Sequence, residues 1–248
     1  MKENISLVSY LNTLPFIYGL ENSPLKEKIN IIKNIPSQCA EVLKRGQANI
    51  GLVPVAELTT LSGFNIVTDY CIGAENTVKS VLLLSDVPLH EIESVELDYQ
   101  SKTSNNLIKI LAKELWSKNF TYINTGPDYT KDYKKNTASL IIGDRALLMA
   151  KRYPYQYDLA EEWKKLTGLP FVFAVWVANK NISETFLNDF TNALQLGIQN
   201  ISEAISSCPF NNEFKKTTES YLKNNISYLF DAQKKQALKL FIDKLSAF

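Results

Sequence analysis

Apolar positions along the chain fall into short runs separated by stretches of helical spacing, the pattern of strands alternating with amphipathic helices. Ile5-Ser6-Leu7-Val8 reads as a first strand, and Pro15 to Leu20 as a short helix ending near Gly19. Ile29-Asn30-Ile31-Ile32 reads as a second strand. Pro36-Ser37 then opens a helix through Val42 and Leu43, stopped by Gly46, with Ser37 as its expected N-cap. Ala48 to Val53 reads as a buried strand, and Pro54 begins a helix at a position where a missing N–H costs nothing. This succession predicts a parallel, doubly wound sheet. Residues 64–73 form another strand, and Val78 to Ser85 a long, strongly apolar one.

Asp86-Val87-Pro88-Leu89 breaks the pattern, which then restarts. Val95-Glu96-Leu97 is a strand, residues 98–104 a polar loop, and Leu107, Ile108, Leu111, Ala112 and Leu115 one face of a helix. Tyr122-Ile123 and Leu140-Ile141-Ile142 are strands, the latter running into Gly143-Asp144. A charged helix over 158–167 closes at Gly168, and Pro170 to Ala178 is a second long strand. Two helices fill the C-terminus, one marked by Phe186, Phe190, Leu194, Ile198, Ile201 and Ile205, the other by Leu238, Phe241 and Leu245. Long strand, break and restart occur at both crossings. The expectation is therefore two lobes, a discontinuous first lobe of residues 1–82 and 178–248 and an inserted second lobe of 86–173, rather than one continuous doubly wound domain. Strands 78–85 and 171–178 are the expected crossovers. Such an α/β layout resembles the two-lobed periplasmic-binding-protein-like (type II) fold, whose ligand sits in a cleft closed by a hinge.

Composition narrows the function. The net charge of +1 gives no electrostatic case for nucleic acid or a membrane surface. Cys39, Cys71 and Cys208 are far apart and odd in number, which argues against zinc and a disulfide framework. His90 is the only histidine, which argues against His-based metal sites and Ser-His-Asp triads. No signal peptide is visible, and no run approaches the ~20 apolar residues that cross a bilayer. The expectation is a soluble, cytoplasmic protein.

The stretch Ser9-Tyr10-Leu11-Asn12-Thr13-Leu14-Pro15-Phe16 lies where a strand's carboxyl end meets a helix, the place where open α/β sheets bind ligands. Its groups are polar and uncharged, suited to a small oxygen-rich molecule. Taken alone, it reads better as Asn12 and Thr13 merely capping the helix.

Five ordered motifs carry a resemblance. They are Ser9-Tyr10-Leu11-Asn12-Thr13-x-Pro15-Phe16; Asn49-Ile50-Gly51-Leu52-Val53-Pro54-Val55-Ala56-Glu57; Cys71-Ile72-Gly73-Ala74-x-x-x-Val78-x-Ser80-Val81-x-Leu83-x-Ser85; Leu97-Asp98-x-x-Ser101-x-Thr103-Ser104; and Thr167-Gly168-Leu169-Pro170-Phe171-Val172-Phe173-Ala174-Val175-Trp176. Together, over residues 5 to about 178, the chain resembles the chorismate dehydratase family of the futalosine route to menaquinone. Asn49 departs from the pattern, standing where family members more often carry an acid. The resemblance implies a cytoplasmic enzyme with chorismate as its small-molecule substrate, 3-[(1-carboxyvinyl)oxy]benzoate and water as products, and no metal or organic cofactor.

That reaction needs grips for two carboxylates, support for developing negative charge, a base and help for a departing hydroxyl. Given the resemblance, Asn12 and Ser80 are the expected catalytic residues. Ser9, Tyr10, Ser101, Thr103, Ser104, Gly143 and Asp144 are the expected substrate-binding residues. Ser101, Thr103 and Ser104 open a helix, whose free N–H groups favour anions; Ser101 or Ser104 can also cap it. Asp144 reads equally as a helix cap, Arg145 as a solvated charge, and Phe171, Phe173 and Trp176 as packing. Glu57 and Asp98 read as structural and His90 as exposed, which leaves the substrate's enolpyruvyl carboxylate as the expected base. The alternatives are 1,4-dihydroxy-6-naphthoate synthase of the same pathway, a non-catalytic solute-binding protein of the same fold and, more weakly, a regulator's ligand domain.

Overall fold

The computed structural model describes residues 2–126, 136–179 and 182–247. In chain order the elements are β1 (Glu3–Val8), α1 (Leu14–Glu21), β2 (Ile29–Asn34), α2 (Pro36–Lys44), β3 (Ile50–Pro54), β4 (Phe64–Ala74), β5 (Val81–Ser85), β6 (Ser94–Leu97), α3 (Lys102–Glu114), β7 (Thr121–Asn124), β8 (Thr137–Ile142), α4 (Asp144–Met149), β9 (Tyr155–Asp158), α5 (Leu159–Thr167), β10 (Phe171–Asn179), α6 (Glu184–Gln199), α7 (Ile201–Ser206), α8 (Asn212–Asn224), β11 (Ser227–Leu229) and α9 (Ala232–Ser246). They build two sheets. One has six strands in the order β11-β4-β10-β3-β1-β2, the other five in the order β7-β6-β8-β5-β9.

The expected purely parallel sheet is not what forms. β1 pairs in parallel with β2 and β3, but β10 lies antiparallel between β3 and β4. The reason is topological: β10 returns from the second sheet and fills the slot beside β3 from the opposite direction. It belongs to the six-stranded sheet from Phe171 onward, and β5 belongs to the other sheet from Val81. The strand expected over 78–85 therefore begins three residues late. Lys79 sits at φ 61°, outside the extended region, so residues 78–80 cannot continue a ladder. Neither long strand spans the two sheets.

Local chemistry explains several boundaries. Asp158 caps α5 by accepting from the N–H groups of Ala160 and Glu161, and Gly168 ends it at φ 74°. α2 starts at Pro36 with Ile35 at the cap position, so Ser37 lies inside the first turn and does not cap. Gly19 does not stop α1. It lies within the helix, against Gly197 of α6, where the backbones touch: a Cβ on Gly197 would fall 1.7 Å from the Pro15 carbonyl oxygen. The single helix expected over 186–205 is two, α6 and α7, broken at Asn200. α8, β9 and β11 were not foreseen.

A continuous apolar core runs under both sheets, with Phe16, Trp163, Phe171, Trp176 and Phe241 fully buried. Among the described residues, no helix is long and apolar enough to cross a membrane.

Candidate active site

Between the two sheets lies a cavity with about 560 Å³ of empty space, its mouth included. From the six-stranded side it is walled by Val8, Pro36, Leu52 and Pro54 at the carboxyl ends of parallel strands, where such sheets bind ligands. From the other side come Ile142 at the end of β8 and the first turn of α3, which follows β6. Tyr10, Asn12, Thr13, Ser80, Ser101, Thr103, Ser104 and Gly143 supply the polar part of the wall. None of the described residues lining it is Asp, Glu, Lys, Arg or His.

The asparagine turn is shaped by backbone bonds. Thr13 Oγ1 lies 2.7 Å from the Val8 carbonyl and 2.8 Å from that of Tyr10, closing a short 3-10 turn over Leu11–Thr13. Thr13 is thus the residue before α1 but donates its hydroxyl backward, and neither it nor Asn12 caps the helix. The Tyr228 hydroxyl, on β11, donates to the Asn12 carbonyl at 3.0 Å and fixes the turn from behind. Ser80, 2% exposed, follows the turn at Lys79, whose N–H is held by Asp158 Oδ2 at 2.7 Å. Its Oγ accepts from the buried Tyr221 hydroxyl of α8 at 2.9 Å.

At α3, Ser101 is the N-cap: its Oγ accepts from the Ser104 N–H at 3.1 Å and lies 3.0 Å from Ser104 Oγ. The N–H groups of Lys102 and Thr103 in the first turn have no intrahelical acceptor, so this end carries the partial positive charge of a helix start. Thr103 Oγ1 accepts from the Ala56 N–H at 3.1 Å, joining the two halves of the molecule.

Several other contacts cross between the halves. Lys102 pairs with buried Glu57 at 2.7 Å. The Tyr10 hydroxyl donates to Gln100, and the Leu11 N–H donates to Asp144 Oδ1 at 3.1 Å. Burial, then the Asp98 carboxylate, pushes the Tyr10 phenol well above its ordinary value, so it stays protonated. The cleft is closed on itself.

Seven of the nine residues expected at the site, Tyr10, Asn12, Ser80, Ser101, Thr103, Ser104 and Gly143, come together on this cavity. Ser9 and Asp144 do not line it. Ser9 is exposed, its N–H bonded to the Asn34 carbonyl, and Asp144 faces the Leu11 N–H. Burial raises the Asp144 pKa, and the Leu11 N–H partly offsets this. Asp144 does not cap α4, whose cap position is Gly143. Gly143 reaches the cavity, but its N–H is bonded to the Ser80 carbonyl at 2.8 Å and is not open to a ligand. Arg145, although part-exposed, is a paired charge: it bonds to buried Asp98 at 2.6 Å and lies over the Tyr99 ring. Phe173 lines the cavity, whereas Phe171 and Trp176 are core. Glu57 and Asp98 are tied up in ion pairs off the cavity, and His90 is exposed in a short 3-10 turn. Tyr221 and Tyr228 were missed, because nothing local marks them. Among the described residues, no group of three or more His, Cys, Asp or Glu is placed to hold a metal ion.

A sequence model of the family described as "Menaquinone biosynthesis" matches residues 4–247. Chorismate dehydratase of Campylobacter jejuni is 29% identical over 172 residues, spanning 67% of this chain and 63% of that protein, slightly under two thirds of its length. Chorismate dehydratase of Thermus thermophilus is 26% identical over 199 residues, 69% of this chain and 68% of that one. A Candida albicans gene product, described as exhibiting the generic periplasmic binding protein structural fold, matches with a TM-score of 0.66 at 11% identity, over 98% of this chain and 90% of that one. The frame is thus of the periplasmic-binding-protein type, and with a family match that runs almost end to end, the chain belongs to the menaquinone biosynthesis family.

Proposed function

We propose that this chain is a chorismate dehydratase, a hydro-lyase that forms 3-[(1-carboxyvinyl)oxy]benzoate and water. The observation that carries this reading is the uncharged cavity, which sets Asn12 and Ser80 beside the amino end of α3. The two sheets are the cores of two lobes, crossed at residues 75–80 and 168–170.

Chorismate presents two carboxylates, an enolpyruvyl ether and a ring hydroxyl. The hydrogen on the ether-bearing carbon is acidified through the conjugated ring carboxylate. The first-turn N–H groups of α3, with the Ser104 and Thr103 hydroxyls, bind that carboxylate and stabilise charge delocalised onto it. Among the described residues lining the cavity, Tyr10 is the one with an ordinarily titratable side chain, and burial keeps it protonated. The base is therefore the substrate's own enolpyruvyl carboxylate, oriented by the Asn12 amide. It takes the ring proton, the C–O bond to the neighbouring hydroxyl breaks, and the new double bond completes the aromatic ring. The departing oxygen, hydrogen-bonded by Ser80, collects the proton from the enolpyruvyl acid and leaves as water. Closure of the two lobes excludes bulk water and fixes this geometry.

The test is incubation with chorismate, with the aromatic product followed by absorbance and its identity checked by mass. Turnover is expected, with Asn12→Ala and Ser80→Ala each folded and slowed by roughly 100-fold or more. Binding without turnover would favour a solute-binding protein, and no binding would exclude both readings. If a Glu57 or Asp98 replacement alone abolished chemistry while chorismate still bound, a protein base would replace the substrate's carboxylate.

A further inference from the structure

The C-terminal elements grip the segment that carries Ser80 at successive points. Ser227 donates to Glu75 Oε1 at 3.0 Å, and Lys234 pairs with the same carboxylate. Asn225 donates to the Thr77 carbonyl at 3.1 Å. Tyr221 donates to Ser80 Oγ at 2.9 Å. The 75–80 segment has no ladder of its own and turns at Lys79 through a positive φ. Its last residue is therefore aimed by outside partners.

Of these contacts, the one from Tyr221 reaches a group on the cavity wall. A serine hydroxyl has one hydrogen and two acceptor sites. With Tyr221 occupying an acceptor site, the hydrogen of Ser80 is directed to another acceptor, and the cavity lies in front of it. We propose that Tyr221 is a positioning residue for the dehydration: by donating to Ser80 Oγ it orients and polarises that hydroxyl toward the departing oxygen of the substrate.

Burial supports a role without ionisation. It raises the Tyr221 phenol far above a tyrosine's ordinary range, with its hydrogen bonds to the Ser80 and Asn12 side chains offsetting this only in part. The phenol is a constant donor, and no proton leaves it during the reaction. Tyr228, equally buried, braces Asn12 through its carbonyl, so both reacting-side residues are backed by tyrosines from one C-terminal unit, α8 and β11.

This inference rests on the chorismate dehydratase reading, and the experiment separates the two. Tyr221→Phe removes the hydroxyl and keeps the ring. Its kcat is expected to fall roughly 10–100-fold, less than for a donor in direct contact with the reacting atoms, with KM within about twofold. In a Ser80→Ala background the same change is expected to lower kcat by clearly less than it does in wild type, because the hydroxyl it orients is gone and only its contact with the Asn12 side chain remains. If wild type turns chorismate over and Tyr221→Phe matches it, this inference falls and the reading stands. An equal loss in the wild-type and Ser80→Ala backgrounds overturns it as well. If wild type makes no product, both fall. Should Tyr221→Phe not fold, 3-fluorotyrosine at position 221 keeps the hydroxyl and strengthens its donation. It is expected to change kcat and leave KM in place, and an unchanged kcat overturns the proposal.

Discussion

Gly197→Ala adds one methyl group where two helices touch. The new Cβ would lie 1.7 Å from the Pro15 carbonyl oxygen and 2.6 Å from its carbon. The reciprocal position is equally tight, a Cβ on Gly19 lying 1.9 Å from the Ala193 oxygen. Both obstacles are backbone, so no rotamer change relieves them. Reaching 3.0 Å from 1.7 Å parts α1 from α6 by about 1.3 Å. Overpacking costs ~1–3 kcal/mol where neighbours adjust, and the upper end applies here. Alanine's helix preference returns ~1 kcal/mol, leaving a net loss of about 2 kcal/mol. For a chain of this length that is a fall in Tm of roughly 4–8 °C. There is a functional consequence, because Pro15 lies three residues after Asn12. A displaced α1 carries the asparagine turn with it, and a misplacement of ~1 Å costs on the order of 100-fold in rate. Thermal melting by circular dichroism and steady-state turnover of chorismate read the two effects. A variant that melts at or above the wild-type temperature would refute the close-crossing argument, and one that melts lower with full kcat would refute the link to Asn12.

Three further changes probe the closed cleft. Gly143→Ala places a Cβ 2.8 Å from the Tyr10 ring at a residue with φ 65°, so kcat/KM is expected to drop by roughly tenfold or more; an unchanged value would mean that Tyr10 does not need its present place. Tyr10→Phe removes the hydroxyl that reaches Gln100 across the cleft, and the loss of ~0.5–1.5 kcal/mol is expected to raise KM roughly 2–12-fold. Solution scattering without ligand, showing a more open form than wild type, checks the cause. Asp144→Asn keeps an acceptor for the Leu11 N–H and removes a charge whose folded-state pKa is raised by burial. A raised carboxyl pKa means that its stabilising share is complete below the unfolded value and is lost as pH rises through the folded one. The variant's Tm should therefore gain on wild type as pH rises above about 4 and converge with it below; a constant difference would be inconsistent with this origin.

What the sequence made legible was local. Strands at 5–8, 29–32, 122–123 and 140–142, and the helix closed by Gly168, follow from apolar runs and one αL glycine, and neither depends on distant partners. Gly19 misled because a helix-ending glycine and a helix-crossing glycine look alike until the second helix is placed. α8 escaped notice because it buries only Thr218, Tyr221 and Leu222, too few for a visible stripe. β9 and β11 are four and three residues long and take their strand character from neighbours. The mixed sheet arose from the return path of β10, which no pattern within β10 encodes. Tyr221 meets Ser80 across 141 positions, a pairing that exists only once α8 has packed against the 75–80 segment.

Within the motifs, backbone period separates the residues that face the cavity from those that do not. Extended chain sends alternate side chains to opposite faces. Val8 and Tyr10 line the cavity, and Ser9 between them is exposed. Val78 and Ser80 also line it with Lys79 exposed between them, but there the turn at Lys79, φ 61°, and not an extended period, sets the faces. With Tyr10 placed inward, the same rule puts Ser9 outward, off the cavity. Asp144 lies off the cavity, holding the Leu11 N–H, and a carboxylate there would repel a dicarboxylate ligand. For a dicarboxylate substrate, as the proposed function requires, the cavity offers N–H dipoles at α3 and hydroxyls. Lys102 and Arg145, close in sequence to lining residues, are bound to Glu57 and Asp98. A free cation would hold the substrate carboxylates as tightly before reaction as during it, and would quench the one that must act as base. If chorismate is the substrate, dipoles fixed by the fold would favour charge as it spreads through the ring and leave the enolpyruvyl carboxylate basic enough to take the proton.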